Sequence, residues 1–146
     1  MDKVMIHFQL VSLTGTKFDG DAYEVVLPTL DGEIGVLQDH MPLVSVAKTG
    51  VIAVRKDARD SDRTLEYFVI SGGVIEVSDN ILRVLVDEAD DAADINEAEA
   101  EAAIERARRL KADAQDEVSL EHAQALIDRH QVRLQVASLK RRHQKL

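Results

Sequence analysis

The sequence predicts an α+β protein in which a domain of short strands comes first and a pair of helices follows. Three observations carry that prediction. All seven glycines, both prolines and every Phe and Tyr precede Asp87, and the stretch beyond is rich in Ala, Glu and Arg. Glycine and proline punctuate turns, aromatic and β-branched residues favour strands, and Ala, Glu and Arg favour helices. Apolar residues alternate in short runs before the break and recur at helical spacing after it. The break separates a β unit, residues 1–87, from a helical unit, residues 88–146.

In the first unit, Ile6, Phe8 and Leu10 alternate with Met5, His7 and Gln9, as on a strand with one buried face. Tyr23, Val25 and Leu27 repeat the pattern and stop at Pro28. Further runs cover Val51 to Arg55, Leu65 to Ile70, Val74 to Val77 and Ile81 to Val86. Between the last two, Ser78-Asp79-Asn80 reads as a hairpin turn, since Asn and Asp tolerate the left-handed conformation. Short strands at this spacing predict an antiparallel sandwich or barrel. Asp31 to Val51, with Gly32, Gly35, Pro42 and Gly50, is too irregular for a plain strand and too apolar for an ordinary surface loop.

The second unit reads as two helices and a connector. Asp94 followed by Glu97 has the form of a capping box at a helix start. Ala103, Ala107, Leu110 and Ala114 make a narrow apolar stripe, and the polar stretch Ala114 to Ser119 suits a turn between antiparallel helices. Ala123, Ile127, His130, Leu134 and Ala137 then form the matching stripe. At 100° per residue, Val132, Val136 and Leu139 fall on the opposite side. A hairpin helix needs one buried face, so the second apolar face requires further burial within the protein or a partner.

Composition narrows the function classes. At 146 residues, 45% apolar and 31% charged, the chain can form a packed domain with an appendage. A net charge of −9 and 3% aromatics argue against a nucleic-acid or anionic-membrane binder, which needs a basic surface and, for single strands, stacking rings. Without cysteine there is no disulfide, thiolate nucleophile or cysteine zinc site. The N-terminus lacks a signal-peptide pattern and no stretch of about 18 apolar residues occurs, so a soluble cytoplasmic protein is expected. Charge is divided along the chain. Asp87 to Glu105 holds nine acidic residues and no base, whereas Arg129 onward holds Arg129, Arg133, Lys140, Arg141, Arg142 and Lys145 with no acid. Two readings stay open: helix-dipole complementarity, or a basic end that docks on an acidic protein surface.

Catalytic patterns are missing. There is no GxxxxGK[ST], GxGxxG, HExxH or GxSxG motif, and the five histidines lack metal-ligand spacing. Asp39-His40 is a weak acid/base pair, Asp31 and Glu33 a weak cation pair with turn capping as the plainer use of Asp31, and His130 sits on an apolar stripe as a packed residue.

The distinctive residues are Asp31 to Val51 (DGEIGVLQDHMPLVSVAKTGV), Val69 to Val77 (VISGGVIEV) and Val84 to Asp87 (VLVD). Together these segments resemble the epsilon subunit of F-type ATP synthases, over nearly the whole chain. The combination of DGEIG, HxPL, KxGV and SGGxxEV is specific to that family. Gln38-Asp39 departs from the Pro-Gly common there before the histidine.

The resemblance implies an N-terminal antiparallel β-sandwich of about ten short strands and a regulatory helical hairpin. It implies a non-catalytic central-stalk subunit, with the gamma subunit and the c-ring as partners, and the alpha and beta subunits when the hairpin extends. Its place would be the cytoplasmic face of the bacterial membrane, peripheral, without insertion and without nucleic acid. Glu33, His40 and Met41 fall at the c-ring and gamma interface, and Arg129, Arg133, Lys140, Arg141 and Arg142 are the bases expected to inhibit ATP hydrolysis. Some relatives bind ATP in the hairpin through an IDxxRA motif. Here the matching stretch is Ile95-Asn96-Glu97-Ala98-Glu99-Ala100, joined by Asp90, Arg106, Arg129 and Arg133. Glu99 reverses the motif's arginine, which at about 4 Å and an effective dielectric near 20 costs on the order of 4 kcal/mol before screening. ATP binding is therefore expected to be weak or absent, with no other cofactor.

Overall fold

The computed structural model describes residues 3–144, with side chains as far as Arg141. Ten strands precede two helices: β1 (Ile6–Ser12), β2 (Gly15–Ala22), β3 (Glu24–Thr29), β4 (Gly32–Leu37), β5 (Leu43–Ala47), β6 (Gly50–Arg55), β7 (Glu66–Ile70), β8 (Gly73–Ser78), β9 (Ile81–Val86), β10 (Ala89–Asp91), α1 (Glu97–Asp113) and α2 (Glu117–Gln144). The strand order is β10-β7-β6-β3-β5-β8-β9-β1-β2, with β4 paired to β3. Strand β3 forms the seam of the sandwich, because Glu24 to Val26 pair with β6 whereas Thr29 pairs with β5.

Alternation decides which face turns inward. On β1 the residues Ile6, Phe8 and Leu10 are fully buried, as are Val25 and Leu27 on β3 and Leu82 and Val84 on β9. Burying each such side chain contributes roughly 1.5–3 kcal/mol, so a one-residue slip would forfeit a whole strand's share. Phe18 joins the two halves of the core, 5.3 Å from Phe8 and 5.9 Å, edge-on, from Phe68. The turn at Ser78 is as expected: Asp79 (φ 51°) and Asn80 (φ 61°) both take the left-handed conformation of a tight hairpin. Gly73 is fixed by space, since a Cβ there would lie 2.1 Å from the Leu85 carbonyl oxygen.

Several expectations are corrected. The sandwich is antiparallel except for β1 and β9, which run parallel. Strand β3 continues through Pro28, whose carbonyl accepts the Lys48 N–H at 3.1 Å. A proline is compatible with a strand wherever the ladder needs no donor. The irregular segment after Asp31 contains two regular strands, β4 and β5. Its opening turn is closed by the Thr29 hydroxyl, which donates to the Gly32 carbonyl at 2.6 Å and accepts the Asp31 N–H at 3.2 Å. That hydroxyl, rather than the Asp31 carboxylate, holds the turn.

The helix start also moves. Asp91 accepts the Ala93 N–H at 2.9 Å and holds a single 3₁₀ turn at Ala92–Asp94, so α1 begins two residues later than Asp94 would set it. Asn96 caps it, its Oδ1 accepting the Glu99 N–H at 3.1 Å. The buried stripe of α1 is Ala100, Ala103, Ile104 and Ala107, the i, i+3, i+4, i+7 spacing of a helix seam. Leu110 falls off that seam and is exposed. Asp116 accepts the Ser119 N–H at 2.7 Å, so the connector shortens to residues 114–116.

Candidate functional site: the docked arm and the opposite sheet face

The helical arm lies folded against the sandwich. Ala123, Ile127 and Ala137 of α2 are buried on the side that meets α1, where small residues allow close approach. The second apolar face, left unassigned by the sequence, packs on the sheet. Val136 and Val132 join Tyr67 and Val69 of β7, Val51 and Ala53 of β6, and Ala92 in one apolar cluster. Leu139 stays exposed at the rim of a groove of about 600 Å³ that it shares with Glu33, Arg55 and Leu65.

Ion pairs fasten the arm above this cluster. Arg129 binds Glu88 and, through Nη2, Asp90 Oδ2 at 3.1 Å. Arg133 Nη1 lies 3.5 Å from the same Asp90 oxygen, and Arg141 Nη1 donates to Glu97 Oε2 at 3.1 Å. The side chains of Arg129, Arg133 and Asp90 are only 19%, 20% and 31% exposed. The two charge blocks therefore face each other: the acidic surface met by the basic end is the chain's own linker and the start of α1.

His130 lies on the same helix, next to Arg129 in sequence, and its Nδ1 is buried with no hydrogen-bond partner among the described residues. Burial, then the charges of Arg133, Arg129 and Arg106, hold its pKa below the ordinary histidine value, against a smaller upward pull from Asp90. Of the residues matched to the nucleotide motif, Asp90, Arg129 and Arg133 meet in the latch, and with Arg106 their charges act on the His130 ring. Ile95 instead packs into the apolar cluster, and the Asn96 amide is engaged as the helix cap. Lys140 and Arg141 line a cleft with Ala92, Ile95 and Glu97. The Arg142 side chain lies outside the described residues.

Glu33, His40 and Met41 are not brought to one spot. Glu33 is exposed at the start of β4, opposite Pro28, and the other two follow the end of that strand, about 13 Å of extended chain away. Met41 is 73% exposed, and His40 Nδ1 donates to its carbonyl at 2.7 Å. Asp39 adopts φ 60° and donates its N–H to Asn80 Oδ1 at 2.9 Å. Asp is among the few side chains that accept this conformation, so Gln38-Asp39 makes the turn without glycine.

Sequence reasoning missed a further surface. On the sheet opposite the arm, Val46 of β5 pairs with Val74 of β8, and Val74 with Leu85 of β9. These residues are 52%, 46% and 51% exposed, and Val44, at 74%, extends the row. The signal was present in β5, where apolar residues occupy both parities, so that one set faces water.

The class defined by these features is a β-sandwich that carries a docked, ion-paired helical arm. Residues 5–92 match the family model of the ATP synthase Delta/Epsilon chain beta-sandwich domain. The ATP synthase epsilon chain of Polaromonas naphthalenivorans is 32% identical over 140 residues, covering 96% of this chain and 97% of the relative. That of Thioalkalivibrio sulfidiphilus is 34% identical over 137 residues, covering 94% and 95%. A chain in the mitochondrial ATP synthase of Euglena gracilis (OSCP/F1/c-ring) shares the fold with TM-score 0.75 at 22% identity, over 95% of this chain and 84% of that one. The chain belongs to the epsilon-chain family of the F-type ATP synthases. It is a non-catalytic subunit of that membrane-associated complex, and among the described residues no helix is long and apolar enough to cross a membrane.

Proposed function

We propose that the chain works as two units of the central stalk: the sandwich couples rotation of the c-ring to the catalytic head, and the helical arm restrains ATP hydrolysis. The observation that carries this reading is the latch. Arg129, Arg133 and Arg141 are neutralised by the chain's own Glu88, Asp90 and Glu97, through polar contacts that a rival acidic surface can replace. In the extended state these bases, with Lys140 and Arg142, approach acidic segments of the alpha and beta subunits, and the Val132 and Val136 face rests on gamma. The row of Val44, Val46, Val74 and Leu85 is left uncovered by the folded arm and suits gamma as a permanent partner. Glu33 at one end of β4, and His40 with Met41 at the other, are the proposed contacts with the c-ring and gamma. The complex would present this subunit at the cytoplasmic face of the membrane, peripherally.

The test is truncation after Asp94, which keeps β10 in the sheet. The truncated complex should assemble normally and hydrolyse ATP several-fold faster than the full one; unchanged hydrolysis sinks the inhibitory role. ATP should bind this arm weakly or not at all, because Glu99 opposes a polyphosphate and Arg129 and Arg133 already have carboxylate partners. Calorimetric titration of the subunit with ATP should give no binding at micromolar concentrations, and a micromolar constant refutes that statement.

A further inference from the structure

We propose that His130 is a proton-operated release of the arm: neutral, it packs inside the latch, and on taking up a proton it loosens α2 from α1 and the linker. The proposal rests on the regulatory reading above and states what would move the arm. Its geometry is specific. The charges that act on the ring are those of Arg129 and Arg133 on its own helix, Arg106 on α1 and Asp90 on β10, and Arg129 and Arg133 share that aspartate in the latch. Glu88 is bound to Arg129. The Nδ1 atom is buried and has no hydrogen-bond partner among the described residues. A neutral imidazole tolerates one bare nitrogen, but an imidazolium donates from both. Protonation in place would add a positive charge that the charges of Arg133, Arg129 and Arg106 oppose, and strand a buried N–H. Both effects disfavour the docked, charged state.

The sign follows from linkage. Released into water the ring has an ordinary pKa near 6.5, and docked it lies lower. Well above about pH 6.5 both states are neutral and docking is at full strength. As pH falls through that value the released arm binds a proton the docked arm refuses, so docking weakens until the docked pKa is reached.

The chain has no cysteine, so Lys48→Cys on the sandwich and Ala125→Cys on α2, both exposed positions, take spin labels at those sites alone. Interspin distances in the full-length isolated subunit, followed from about pH 7.5 to about pH 5.5, report docking. The expected result is a several-fold rise in the released fraction that disappears in His130→Gln. A flat profile in the parent chain, or an undiminished one in His130→Gln, overturns the proposal. Should His130→Gln fail to dock even at the higher pH, the ring's own titration by NMR in the parent chain decides. A midpoint below the ordinary histidine value supports the switch, and one at or above it overturns it. Truncation separates this proposal from the reading beneath it. Proton-driven release in the isolated subunit, with hydrolysis indifferent to truncation, sinks the inhibitory role and leaves the switch standing; the reverse pair of results sinks the switch alone.

Discussion

At the scale of the residue, two histidines show how neighbours set the sign of a pH response. Burial and the charges of three arginines push the His130 pKa down, whereas His7 on β1 reaches two carboxylates of β2, with Nδ1 at 3.0 Å from Asp21 and Nε2 at 2.6 Å from Asp19. The hydrogen bond to Asp21 raises its pKa most, Asp19 adds to it, and burial opposes both. Its folded pKa therefore lies above the ordinary value near 6.5, so its contribution is full below that pH and is lost as pH rises through the folded value. The groups are exposed and screened, which keeps the effect small. The melting-temperature advantage of the parent chain over His7→Gln should be larger at about pH 5.5 than at about pH 8.5. An equal advantage at both would show that the contact is packing rather than charge.

At the scale of the element, α2 has two apolar faces because it meets two different surfaces. Its contact with the sheet is narrow, centred on Val136, which is 3% exposed. An aspartate there would have to be buried unpaired, at a cost of several kcal/mol, or leave the sheet. Val136→Asp should release α2 while the melting of the sandwich stays unchanged, as measured by the same spin labels and by calorimetry; a docked arm in this variant refutes the narrow contact. The sequence displayed the Val132, Val136 and Leu139 face but could not say what it met. Periodicity reports which residues share a face, and the partner of that face is decided by where the chain returns. Strands with clean alternation were legible for the same reason, as was the Asp79-Asn80 turn. Strand β2, GTKFDGDA, was not: its two glycines and two aspartates argue for loop, and it is a strand because β1 pairs along its whole length. Such an override of local propensity by pairing leaves no trace in a single sequence. The helix cap was misplaced by two residues since Asp91 and Asn96 compete for the same kind of bond on either side of Asp94.

At the scale of the whole molecule, the charge division becomes a restraint on the arm. The sequence held both blocks, but the pairing of Arg129 with Asp90 joins positions 39 residues apart and exists only once the hairpin folds back. These pairs are part-buried, so they weigh more than surface pairs and less than a fully desolvated one. Exposed pairs contribute up to about 1 kcal/mol, whereas stripping one partner from a fully buried pair costs about 3–5 kcal/mol. Neutralising the linker should therefore cost the docked state a few kcal/mol, enough to move an arm held by one narrow apolar contact. In Glu88→Gln with Asp90→Asn, the isolated subunit should show a larger released fraction than the parent chain at neutral pH. In the assembled complex the same change leaves Arg129 and Arg133 available to a rival acidic surface, so hydrolysis should fall below that of the parent complex and recover on truncation after Asp94. The direction is diagnostic. A latch that only stabilised the fold would, when weakened, leave hydrolysis alone or raise it; a latch that withholds inhibitory bases must lower it.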